Sequence, residues 1–165
     1  MCAFEDDDVI HAEDTVDPVR DIITICNEVR IKDISFMQGK KEHHKKGQAA
    51  ARTKTPQPLK KWEVELQCMD KIIECLDAGT DVKNNMKNWS TTDIEFLNDY
   101  ALLTAKPTMF AINMNHKDYC RKKNKFLKPI YEWVTANAPG SAMIPYYLSV
   151  EEELQDMESD DARRA

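Results

Sequence analysis

The stretch AINMNHKDYCRKKNKF, residues 111–126 of a 165-residue chain, opens as a short apolar strand, turns through polar residues and ends in a basic helix. It continues Thr108-Met109-Phe110-Ala111-Ile112, an apolar run with the length of a buried strand. Downstream, Tyr119, Phe126, Ile130, Trp133 and Val134 fit the inward face of a helix over about 118–137, which Pro129 should kink or break. Ala138-Pro139-Gly140 stops it, and Ala142-Met143-Ile144 reads as a second strand. Strand, helix and strand in this order predict a β-α-β unit with parallel strands and a right-handed crossover. Two parallel strands leave an open apolar edge, so self-association through the incomplete sheet is expected.

Six cations, Lys117, Arg121, Lys122, Lys123, Lys125 and Lys128, crowd the helix after the turn, although the chain carries a net charge of −6. Cations at a helix start are mildly unfavourable, so an anionic ligand or an acidic neighbour is expected beside them. The acidic loop at residues 1–17, with Glu5, Asp6, Asp7, Asp8, Glu13 and Asp14, is one such neighbour.

Upstream, Asp17-Pro18 is a helix start: aspartate caps free N–H groups and proline loses nothing at the first position. Val19, Ile22, Cys26, Val29 and Phe36 recur at helical spacing, broken only by Asp33, which predicts a helix from about 18 to the high thirties. A cleaner seam, Trp62, Leu66, Met69, Ile73 and Leu76, ends at Gly79. Together, residues 18–79 read as an antiparallel helical hairpin with a basic tip at 40–61, containing Gly39, Gly47, Pro56 and Pro58 and expected to be mobile. That tip holds eight cations, Lys40, Lys41, Lys45, Lys46, Arg52, Lys54, Lys60 and Lys61, against Glu42, leaving −13 for the remainder of the chain. Ser90-Thr91-Thr92-Asp93 then carries the pattern of a capping box, opening a helix that buries Ile94, Leu97, Ala101 and Leu102-Leu103 and ends at Lys106-Pro107. Residues 80–150 form a second region, and 151–165 an acidic tail.

No apolar run is long enough to span a membrane. The acidic opening MCAFEDDD lacks the basic flank of a signal peptide, so a cytoplasmic location is expected. Five widely spaced cysteines without C-x-x-C, and four histidines without zinc-ligand spacing, read as free thiols and no metal site.

The words AFEDDDVIH, DPVRDI, LLTAKP, INMNHKDYCRKKNKF, EWVTANAPG and IPYYLSVEEEL resemble, in the same order, the middle of the Obg-like ATPases, the YchF-type branch of the P-loop GTPases. The resemblance implies an α/β, helix-dominated fold: a partial P-loop NTPase G domain with a coiled-coil hairpin inserted in it. It also implies half of an ATP site. In that family the asparagine of an N-x-x-E motif and the backbone after it contact adenine, and these positions match Asn113 and Met114. His116 stands where the family has glutamate, and Tyr147 where it has a small serine lining the base pocket. No G-x-x-x-x-G-K-[ST] occurs, so a phosphate cradle and an Mg²⁺ site are missing from this sequence.

Two functions compete on these grounds. One is an Obg-like ATPase relative keeping a remnant purine-nucleotide loop, Asn113, Met114 and His116, with no hydrolysis by this chain alone. The other is a non-catalytic hairpin whose Lys40, Lys41, Lys45, Lys46, Arg52 and Lys54 bind RNA or the ribosome, with affinity that falls steeply with salt.

Overall fold

A computed structural model describes residues 1–4, 15–52 and 59–156. The chain divides into two compact units, Thr24–Pro107 and Met1–Ile23 together with Thr108–Ala165. Residues 5–14 of the acidic loop, Lys54, Pro56 and Pro58 of the basic tip, and 157–165 of the tail lie outside the described residues.

Helix α1, Pro18–Arg52, starts where Asp17-Pro18 requires. Asp17 Oδ1 accepts the N–H of Arg20 at 3.1 Å, satisfying one of the helix's orphan donors. The helix does not end in the high thirties. It runs through Gly39 and Gly47, so the segment from Lys40 to Arg52 is helical stem rather than loop. A glycine inside a helix costs about 1 kcal/mol against alanine, which lateral packing can offset. At Gly47 the absent side chain is itself used: a Cβ there would lie 3.1 Å from the Trp62 ring.

Helix α2, Leu59–Asp77, meets α1 in the antiparallel sense. Lys41 pairs with Asp70, His44 packs its ring 4.3 Å from that of Trp62, and Gly47 abuts Trp62, so later residues of α1 meet earlier ones of α2. Gly79, at φ 76°, ends α2 by donating to the Leu76 carbonyl at 2.9 Å, the left-handed stop its position predicts. The buried face is wider than the heptad seam. Cys68, Ile72 and Cys75 join Met69 and Leu76 in the core, because α2 also packs against α3, Val82–Asn85, and α4, Thr91–Asn98.

Two expectations about apolar faces change. Phe36 is 45% exposed, and the buried stripe of α1 runs instead through Asp33 and Met37. The helix opened by Ser90 stops at Asn98, not Pro107, and Ile94 and Leu103 stay largely exposed while Phe96 and Leu102 are buried. Asp33 fixes the segment that follows. Its carboxylate accepts from Leu103 N at 3.1 Å, Thr104 N at 2.7 Å and Thr104 Oγ1 at 2.7 Å, holding 102–104 in a non-helical conformation. What looks in sequence like a polar interruption is the pin between α1 and the end of this unit.

The Ser90 capping box is present as its pattern predicts, with Asp93 N–H to Ser90 Oγ at 3.2 Å and Ser90 N–H to Asp93 Oδ2 at 3.0 Å. Asp93 carries more than the cap. The Cys68 thiol donates to its Oδ1 at 2.9 Å and Lys71 Nζ sits 2.6 Å from Oδ2. The thiol, then the ammonium, hold the Asp93 carboxyl well below the usual carboxylate range. In return, burial first and the Asp93 contact second push the Cys68 thiol up to about 12. All five cysteines are free thiols.

In the other unit, β1, Met109–Asn113, and β2, Ala142–Tyr146, pair in parallel, with Met109 opposite Ala142 and Asn113 opposite Tyr146. The expected single crossover helix is two. Helix α5, His116–Arg121, ends at Lys122, which adopts a left-handed φ of 52°, and α6, Leu127–Asn137, begins afresh. Pro129 therefore breaks nothing. It falls in the first turn of α6, where its missing N–H would have no intrahelical partner anyway. Phe110 packs edge-to-face on Trp133, and Ile112 is fully buried. The alternate strand face is bare: Met109 is 59% and Ile144 45% exposed. Residues 1–3 are not simply loop. Ala3 N–H donates to the Asn113 carbonyl and Asn113 N–H to the Met1 carbonyl, both at 2.8 Å, which adds a short parallel pairing on the second edge of β1.

Asp33→Ala strands two backbone donors and a hydroxyl in a buried site, and a loss of about 3 kcal/mol in urea unfolding with an unchanged m-value is expected. The Asp93 network adds a pH signature. Its folded carboxyl titrates lower than the unfolded one, so its stabilisation is complete above the unfolded range, begins to fade below about 4 and is lost as pH falls on through the lower folded value. Thermal melts should accordingly show the gap between the unaltered chain and Asp93→Asn closing in acid and constant from pH 6 to 8.

Candidate functional site

Ligands of parallel α/β proteins bind beyond the carboxyl ends of the strands, and β1 and β2 end together at Asn113 and Tyr146. Three sequence-derived candidates, Asn113, Met114 and His116, lie at this end, with Tyr147 directly after β2. Local chemistry builds the turn that displays them. Asn115 caps α5, its Oδ1 accepting the N–H of Asp118 at 2.8 Å. That cap stops β1 from continuing and turns the chain at His116, the first residue of α5.

Asn113 is the hub. Its backbone pairs with Met1 and Ala3 on one side, and its side-chain Oδ1 accepts the N–H of Leu148 at 3.1 Å on the other. The residue is 9% exposed. Met114 is 2% exposed, and its N–H donates to the Tyr146 carbonyl at 2.9 Å. His116 is exposed and stacks on half-buried Tyr147, with ring centroids 5.4 Å apart and planes 27° apart. The two positions at which the sequence departs from the N-x-x-E pattern and the small serine thus meet each other.

Beside this turn lies a concavity of about 840 Å³, lined by Phe4, Asn115 and Phe126 among Arg121, Lys122 and Lys123. Among the described residues, no carboxylate lies within 4.0 Å of the cationic groups of Arg121, Lys122 or Lys123. Asn124 shapes this wall, although its place in the sequence does not single it out. Its Nδ2 donates to the Ala3 carbonyl at 2.6 Å and to Asp118 Oδ2 at 2.8 Å, while its Oδ1 accepts the N–H of Phe126 at 2.7 Å. The signal available in sequence is an uncharged amide standing alone within the run RKKNK.

The second candidate set does not join this site. Lys40, Lys41, Lys45 and Lys46 lie on α1, in the other unit, and Arg52 ends that helix. Lys41 pairs with Asp70, Lys45 reaches Glu42 at 3.7 Å, and Lys40 sits 5.2 Å from the centroid of the Phe36 ring. Among the described residues no group of three His, Cys, Asp or Glu side chains could hold a metal ion, and no helix is long and apolar enough to cross a membrane.

No family model matches the chain. Individual relatives do. It is 41% identical over 162 residues, 98% of its length, to Obg-like ATPase 1 of Oryza sativa subsp. indica, and 42% identical over 159 residues to Obg-like ATPase 1 of Saccharomyces cerevisiae. Among solved structures, that of the Schizosaccharomyces pombe YchF GTPase superposes with a TM-score of 0.76 at 31% identity, covering 99% of this chain and 42% of that one. The chain spans 39% of the length of the two Obg-like ATPase relatives.

Asn124→Ala removes three hydrogen bonds from a partly buried junction, and a destabilisation of about 2 kcal/mol is expected. It should be read from denaturant unfolding, together with faster amide exchange at Phe126.

Proposed function

Since this chain belongs to the Obg-like ATPase family along the segment it shares with its relatives, we propose that it forms the base-holding part of a purine-nucleotide site. The observation that carries this reading is Asn113: an asparagine amide at the carboxyl end of paired parallel strands, within a segment matching proteins named as ATPases and a GTPase. An amide can meet the polar edge of a purine, and the neighbouring aromatic rings can meet its face.

Phosphates are a separate matter. The 165 residues contain no G-x-x-x-x-G-K-[ST], hence no glycine turn whose N–H groups cradle phosphate, no lysine for its charge and no hydroxyl for Mg²⁺. This site binds a base and moves no phosphoryl group. ATP and Mg²⁺ chemistry, where it belongs to relatives, needs groups outside this sequence.

Binding of RNA or the ribosome through the helical stem is the weaker reading. Lys41 and Lys45 already face carboxylates, which lowers the positive potential that such contacts need. Self-association through the incomplete sheet is supported only by the exposure of Met109 and Ile144, since parallel sheets are ordinarily covered on both sides.

Isothermal titration of ATP into the purified chain tests the main reading. Expected are weak binding that is insensitive to Mg²⁺, loss of that binding in Asn113→Ala, and no phosphate release above the buffer rate. Tight Mg²⁺-dependent binding with turnover, or no binding of ATP at all, contradicts it.

A further inference from the structure

None of Asn113, Met114, His116 and Tyr147 lines the concavity of about 840 Å³ at the junction of α5 and α6, so it is a space apart from the proposed base site. A volume of that size is ordinary for a small-molecule ligand. Its wall is strongly cationic. Arg121 ends α5, Lys128 lies in the first turn of α6, and Lys122, Lys123 and Lys125 lie between, so charge reaches one space from two helices. Against them the described lining residues offer a single carboxylate, Asp118, whose Oδ2 already accepts from Asn124 Nδ2 at 2.8 Å. Lys128 has Glu132 at 3.8 Å, but Arg121, Lys122 and Lys123 have no carboxylate in ion-pair contact among the described residues. Like charges gathered this closely repel one another, and a bound anion removes that cost.

Lys122 carries a second sign of use. It follows α5 in the left-handed conformation at φ 52°, where glycine or asparagine is the unstrained choice, and among the described residues no other non-glycine has a positive φ. Strain of this kind gathers at sites that use the side chain. The turn itself is pre-formed, since the Asn124 amide bridges the Ala3 carbonyl, Asp118 and the Phe126 N–H.

We infer that this concavity binds a compact polyphosphate, a small polyol ring carrying phosphates on several sides. Arginine meets phosphate as a planar fork and lysine as a point charge, so the donors suit it. The lining side chains sum to +4 and the remainder of the chain to −10. A compact anion therefore collects the attraction, whereas a long nucleic-acid strand also meets repulsion. A linear triphosphate presents its charge along one line and meets fewer of the cations, which arrive from both helices.

Isothermal titration of inositol hexakisphosphate into the full 165-residue chain at physiological ionic strength tests this. Expected is saturable binding, tighter than that of tripolyphosphate, a single-stranded oligouridylate or a glutamate-rich peptide. Lys122→Gly should weaken it about tenfold, the loss of a charged donor, while the chain melts no lower because glycine fits that backbone. Lys117→Ala removes equal charge from a residue of α5 outside the lining and should leave affinity within about twofold. Three results overturn the inference. They are absence of saturable binding, tighter binding of any comparison ligand, and equal losses in Lys117→Ala and Lys122→Gly, which mark diffuse attraction to exposed charge only. The probe carries no base, so its failure leaves the purine reading standing.

Discussion

Parallel strands cannot be joined by a tight turn, and that constraint organises the part of the molecule that carries the site. From Asn113 the chain must cross back over the sheet before β2 can begin at Ala142. It does so in two helical pieces hinged at Lys122, and the crossover returns Tyr146 to a position opposite Asn113. Both strand ends, with the residues just beyond them, are thereby gathered in one place. Asn113 is tied to Met1, Ala3 and Leu148 at once, so two separate segments, residues 1–3 and the start of the last helix, converge on one residue at the end of β1.

The helical unit solves a different problem. A 35-residue helix containing two glycines would be marginal alone, and its stability must come from the side. Met37, Met69, Ile72 and Leu76 supply a dry seam, and Trp62 fills the space that Gly47 leaves open. Asp33 and Arg30 then fasten α1 to the segments beyond α2, the first through Thr104 and the second through Asp81, whose Oδ1 lies 2.7 Å from the Arg30 Nε. Buried polar groups of this sort set register more than they add net stability, since an apolar pair of similar shape could do as well energetically.

The basic run of residues 117–128 needs something to offset its charge. Part of that offset is local: Asp118 lies in the first turn of α5, and Lys128 lies 3.8 Å from Glu132. Arg121, Lys122, Lys123 and Lys125 line an open concavity with Phe4 and Phe126. A cation beside a ring is cheap to keep, and Lys125 lies 4.8 Å from the centroid of Phe126. A helix start surrounded by positive charge is thus tolerated through contacts that no charge count along the chain would register.

How much of this was legible beforehand depends on distance along the chain. The Asp17-Pro18 start, the Ser90 capping box, the Gly79 stop and the strand–helix–strand order were all written locally, because each depends on groups within a few residues of one another. Family kinship was legible too, in long words whose order the relatives share. Beyond that reach the tertiary structure decided. Only packing shows that Asp33 is a buried pin 71 residues from its partner rather than a flaw in an apolar stripe. Only the crossover brings His116 and Tyr147 face to face, and only folding brings the Leu148 N–H to the Asn113 amide oxygen. Hydrogen bonds and ring contacts act over a few ångströms, so a linear pattern can specify an element's ends but not the neighbours that folding will bring to it.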